Sequence, residues 1–162
     1  MGFFTAHFYS QTDPRWSKEK LGFSTSSIGG YGCAITAVSN LHNALFNTNI
    51  TPSQMNQELK RVKAFSNGRQ IGKGNLIVWT RVALAFPRLK FMYRDWNYSN
   101  SRVWSWINLS PRVPVIVCAK TNFVPQHFFL FIGGGKMVDS LDGKIKSTGT
   151  YPTLTGSARY SI

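Results

Sequence analysis

The chain has 162 residues, 43% hydrophobic and 14% aromatic, which is enough apolar surface to close one core without disulfides or metals and too much for a disordered chain. Nineteen Lys and Arg against six Asp and Glu give a net charge of +13 with histidine neutral, excluding an acidic binder and a calcium site of clustered carboxylates and favouring anionic partners. Two cysteines and three histidines leave few catalytic constellations, and none has zinc-ligand spacing, so neither a metal nor a cofactor is expected.

The opening residues lack a basic region followed by a long apolar run and a small-residue cleavage site, so no secretory signal is read there. The longest apolar stretches, 113–119 and 128–132, are too short to span a bilayer, and a soluble chain with no membrane span is expected. QTDPRW then carries a turn at Asp13-Pro14, and 17–31 reads as a polar loop closing on Gly29, Gly30 and Gly32. From Cys33, CAITAVSNLHNALF repeats apolar residues at helical spacing with no Pro or Gly inside, so a helix begins at the cysteine. Thr51, Pro52 and Gln54 supply an N-cap, a first-turn proline and a capping-box glutamine for a second helix. NLIVWTRVALAF, stopped by Pro87, predicts a third over 75–86, and SRVWSWINL a short fourth over 101–109.

The pattern then changes. PVIVCAK, HFFLFIG and KMVDS are short β-branched and aromatic runs, the last two separated by a glycine turn, and predict consecutive antiparallel strands. Helices first and strands later predict an α+β fold: one domain over 1–162, its helical N-terminal part packed on an antiparallel sheet from the C-terminal half.

Cys33 is the most informative residue. Three glycines before it allow a sharp turn into the helix, and a thiolate at a helix N-terminus gains from unpaired N–H groups and the positive end of the dipole. The competing reading is a small apolar Cys opening a core helix. His42, nine residues on along the same helix, lies about 13 Å away at the standard rise and cannot serve as its base. His7, in an aromatic segment, reads as a partly buried, satisfied imidazole. His127 opens a predicted strand, where a catalytic group is rigid yet accessible. Asp139, on the next strand, can lie beside it and hold its tautomer; Asp142, in an Asp-Gly turn, is the other candidate acid. Cys118, inside PVIVCAK, reads as an inert core thiol.

QTDPRW, IGGYGCAITAVSN, QHFFLFIG and VDSLDG together resemble the free-standing relatives of the double-glycine leader peptidases, which process bacteriocin precursors and are papain-like cysteine peptidases of bacteria and their phages. The resemblance runs from Gln11 to about Gly143. It implies a papain-like fold with Cys33 as nucleophile, His127 as general base, Asp139 as orienting acid and Gln11 as oxyanion-hole donor. Gln11 lies farther upstream of the cysteine than in the exporter-linked leader peptidases, and Ser140 stands where the family usually shows Pro.

The expected activity is hydrolysis of amide bonds in a peptide or peptidoglycan substrate, with bacterial cell-wall peptides suggested by the charge. The expected setting is the cytoplasm of the producing cell, a virion, or release at lysis. Trimming of a specific precursor is the alternative enzyme reading. An inactive scaffold that binds nucleic acid or packs in a virion is the alternative outside enzymes. Lys60, Arg61, Lys63, Arg69 and Lys73 form the densest acid-free basic stretch, either a solvated face or a docking surface for an anionic polymer. Trp96, Trp104 and Trp106, with Tyr93 and Tyr98, cluster beside Arg94 and Arg102 as a candidate surface for stacking on sugars or bases, the competing reading being that most of them are core or lobe interface.

Overall fold

The apolar runs of the second half form strands because alternate side chains find a buried surface on each side of a sheet. The computed structural model describes residues 6–96, 101, 103, 114–124 and 126–162. Its helices are α1 (Ile28–Tyr31), α2 (Cys33–Phe46), α3 (Pro52–Arg61) and α4 (Val82–Ala85). Its strands are β1 (Phe65–Ser66), β2 (Leu76–Ile77), β3 (Lys90–Asp95), β4 (Val115–Ala119), β5 (His127–Gly133), β6 (Lys136–Asp139), β7 (Ile145–Ser147) and β8 (Leu154–Ser161). Among the described residues, β1 and β2 pair alone, and the other six form an antiparallel sheet in the order β3-β8-β4-β5-β6-β7. Helix and antiparallel sheet together make this an α+β protein.

The sheet is covered on both faces. On one side Phe128, Leu130, Ile116, Val138, Ala158 and Tyr160 pack with the helical layer, whose contribution includes Ile35, Val38, Leu41, Met55 and Leu59. On the other, Phe129, Phe131, Val115, Val117, Ala119, Met137 and Leu154 form a second cluster with Val103. Full burial of a Leu or Phe side chain contributes roughly 1.5–3 kcal/mol. β4, β5 and β6 each supply both clusters and contact α2, β5 most extensively, so these central strands join the two halves.

α2 begins at Cys33, and the Thr51 capping box is formed in full. The loop over 17–31 ends earlier than expected, because Ser27 caps the Gly30 N–H and opens α1. The continuous helix expected over 75–86 is not formed. Instead Leu76 and Ile77 pair with Ser66 and Phe65, Trp79–Arg81 makes a 3₁₀ turn, and only Val82–Ala85 is α-helical. Ile77 and Val78 are β-branched, and the Val78 N–H bonds Ala64 O at 2.9 Å, so pairing to a neighbouring strand overrides the helical spacing. Of the fourth expected helix only Ser101 and Val103 are described, both helical; the rest lies outside the described residues. No helix among the described residues is long and apolar enough to cross a membrane.

Candidate active site

The four-residue α1 and the fourteen-residue α2 meet end to end at Gly32, whose backbone is not left-handed (φ −87°). A Cβ on Gly32 would lie 2.5 Å from Ile28 O and 2.8 Å from its side chain, so glycine is needed there for close approach. Gly29 is pinned likewise against Ser17, whose carbonyl accepts its N–H at 2.8 Å. The glycines thus act by steric absence and not by the sharp turn expected of them. Their effect is to set the half-buried Cys33 at the first position of α2.

His127 faces it from the first residue of β5. In the β5–β6 ladder Asp139 stands opposite Phe129, two residues from His127 on the same face, so the two side chains meet diagonally. His127 Nε2 and Asp139 Oδ1 are 2.7 Å apart, and the neighbouring Cys33 side chain also favours charge on the imidazole. With Nε2 engaged by the acid, Nδ1 is the nitrogen left for the thiol. Burial opposes charge on the imidazole, but the hydrogen bonds and negative charge of Asp139 and Cys33 outweigh it, and His127 is pushed up to about 9.

Asp139 is fully buried, yet each carboxylate oxygen has two donors. Oδ1 accepts from His127 and from the Leu141 N–H at 3.0 Å; Oδ2 accepts from Lys146 Nζ at 2.8 Å and the Tyr151 hydroxyl at 2.6 Å. Burial alone would raise this carboxyl; the four donors hold it well below the usual carboxylate range. Asp142 does not reach the imidazole. Its Oδ1 accepts the Lys144 N–H, closing the turn, and its Oδ2 pairs with Lys146 at 2.8 Å.

Gln11 is buried at 4% exposure, although glutamine is mostly a surface residue. Its segment is stitched between two catalytic candidates. The Tyr9 backbone exchanges hydrogen bonds with Asn40 of α2, the Gln11 N–H bonds Ser140 O at 2.8 Å, and Ser10 and Thr12 hydroxyls bond Leu141 O. Trp16, 3% exposed, anchors the turn by donating its indole N–H to Ser10 O at 2.8 Å. Gln11 Nε2 donates to Gly29 O at 3.0 Å, one turn before Cys33, and Oε1 is buried without a hydrogen-bond partner. Ser140 contributes its carbonyl; its own buried hydroxyl has no partner. Gln126, beside His127, is exposed.

Cys33, His127, Asp139 and Gln11 are therefore brought to one place. The remaining expectations fall elsewhere. His42 is buried against Phe46 and Phe86, with Nδ1 2.7 Å from Thr48 Oγ1, and its burial and the Arg88 charge hold it below the ordinary imidazole value. His7 is exposed, not partly buried as expected, because the segment is held by backbone, its carbonyl accepting from Asn43 at 2.9 Å. Cys118 is fully buried, and burial pushes its thiol up to about 11. Lys63, Arg69 and Lys73 are exposed, Arg61 pairs with Glu58, and Lys60 lies 5.6 Å from the centre of the exposed Phe23 ring. Trp96 is core, packed on Trp79 and Phe128. Trp104, Trp106, Tyr98 and Arg102 lie outside the described residues.

Lys146 and Tyr151 escaped the sequence reading. Lys146 lies opposite Met137 in the β6–β7 ladder, hence diagonal to Asp139, the same offset that brings in His127. Reading KIKS as a strand after the Asp-Gly turn would have found it. Tyr151 follows an irregular 3₁₀ turn, Thr148–Thr150, and no spacing rule points to it.

Comparison with family models, curated proteins and solved structures found no match to this chain.

Proposed function

We propose that the chain is a cysteine peptidase of papain-like fold, hydrolysing amide bonds through Cys33, His127 and Asp139. The observation that carries this reading is a half-buried thiol at the start of a helix, beside an imidazole that a buried carboxylate holds at 2.7 Å. A structural cysteine has no need of such a partner.

In the proposed reaction the Cys33 thiolate attacks the carbonyl carbon and the C=O electron pair moves to oxygen. The oxyanion is met by the N–H at the head of α2 and by Gln11 Nε2, which has one proton on Gly29 O and a second to offer. Collapse of the adduct breaks the C–N bond while the His127 imidazolium gives its proton to the leaving amine, leaving a thioester. Water then attacks the thioester and transfers its proton to His127, and Cys33 departs as thiolate, restoring the starting pair. Asp139 keeps the ring oriented and balances its charge throughout.

The +13 charge favours an anionic surrounding for the substrate, and peptides of the bacterial envelope, as in phage entry or lysis, are the substrate class put forward. The test is incubation with purified peptidoglycan and with denatured protein. Newly exposed amino groups from peptidoglycan, absent with Cys33→Ala, are expected. Hydrolysis confined to one precursor polypeptide would replace the envelope by precursor trimming. No hydrolysis together with tight, salt-sensitive DNA binding would replace the enzyme by a scaffold.

A further inference from the structure

The donors on Asp139 go beyond what a Cys-His-Asp site needs. From Asp142 a line of charges of alternating sign runs inward: Asp142 to Lys146 at 2.8 Å, Lys146 to Asp139 at 2.8 Å, Asp139 to His127 at 2.7 Å, and His127 to the thiol. The groups facing the imidazole are Cys33 from α2, Asp139 from β6 and the Tyr151 ring, centred 4.9 Å away at 63°, with Lys146 of β7 and Asp142 of the turn standing behind the acid. Tyr151 touches both members, its ring against the base and its hydroxyl on the acid. Lys146 is only 27% exposed and is divided between two carboxylates; its charge is strengthened by those contacts against the opposing effect of burial.

We propose that Lys146 and Tyr151 are positioning residues of this site, and that Lys146, shared between Asp139 and Asp142, sets how firmly Asp139 holds a proton on His127. The inference rests on the peptidase reading for its functional meaning. A carboxylate with one cation draws on it alone; a carboxylate with two divides its field. Lys146 therefore weakens the grip of Asp139 on the imidazolium, making it a better acid toward a leaving amine. Asp142 works the other way, pulling Lys146 off Asp139. Tyr151 limits ring rotation about the acid.

The two charges predict shifts of opposite sign. In an NMR titration of the ring, assigned by its loss in His127→Gln, Lys146→Met raises the His127 midpoint by about half a pH unit or more. Asp142→Asn, which keeps the oxygen that closes the turn, lowers it. Lys146→Arg restores it toward the parent value, and Tyr151→Phe, which keeps the ring but removes one donor from Asp139, raises it less than Lys146→Met. A merely structural Lys146 would change melting temperature without this pattern. Unchanged midpoints, or shifts of one sign for Lys146→Met and Asp142→Asn, overturn the proposal; if Lys146→Met does not fold, an unmoved midpoint in Asp142→Asn does so alone. An inert Cys33 in the parent protein would overturn the peptidase reading and leave these titrations interpretable.

Discussion

Asp139 carries charge at a position with no exposure, which a protein tolerates only when every lone pair of the carboxylate is met. Its link to His127 makes folding pH-dependent, and the sign follows from the shift. Raised from 6.5 to about 9, His127 contributes stability that is complete below pH about 6.5 and lost as pH rises through about 9. Asp139, held low, contributes stability present above pH about 4 and lost only in strong acid. The melting-temperature gap between the parent and His127→Gln should therefore narrow from pH 7 to pH 9; a constant gap would mean that the imidazole is not held charged. At the same scale, Gln11→Ala should lower kcat on the order of 100-fold with KM nearly unchanged, and should also lower the melting temperature because the buried bond to Gly29 O is lost, whereas exposed Gln126→Ala should do neither. A loss seen only with Gln126→Ala would move the oxyanion donor there. Cys33, His127 and Asp139 were legible because each sits at a marked place: a glycine-to-helix junction, a strand start and the strand beside it. Choosing Asp139 over Asp142 required the ladder register, since both stand in VDSLDG.

Between residues and molecule, two close approaches decide where the site stands. Gly32→Ala must part Ile28 from α2, costing about 1–3 kcal/mol and displacing Cys33. Loss of melting temperature together with slower Cys33 alkylation is expected; loss of stability with unchanged alkylation would mean that the junction supports the fold only. Gly156 of β8 has a similar role, since a Cβ there would meet Asp95 O and the Trp96 backbone. That crossing explains why β8 was not legible. LTGSARYS alternates apolar and polar residues, but Gly156 and Ser157 at its centre and the small Ala158 leave it short of β-branched and aromatic side chains, yet it is the strand between β3 and β4. Its place depends on backbone passing over backbone, for which sequence periodicity has no signature. β5 was legible for the opposite reason: two buried faces leave an unbroken apolar run.

Taken whole, the molecule joins a strongly positive surface to a site whose own charges nearly cancel. Arg61, Lys63, Arg69 and Lys73 are exposed, while His127 and Asp139 are buried and paired. Salt should therefore act on the two unequally. Hydrolysis of whole envelopes should fall steeply as ionic strength rises, and cleavage of a short neutral peptide should change little. Parallel salt curves would remove the docking role of the surface. Everything proposed for this chain depends on one thiol being reactive and the other not, and intact-mass alkylation with iodoacetamide at mildly acid pH reads this without knowledge of the substrate. Cys118, buried and raised to about 11, should stay unmodified while Cys33 takes a single adduct rapidly, and His127→Ala should slow that adduct strongly. Equal, slow modification of both cysteines, or a rate at Cys33 indifferent to His127, would contradict the assignment of Cys33 as the nucleophile.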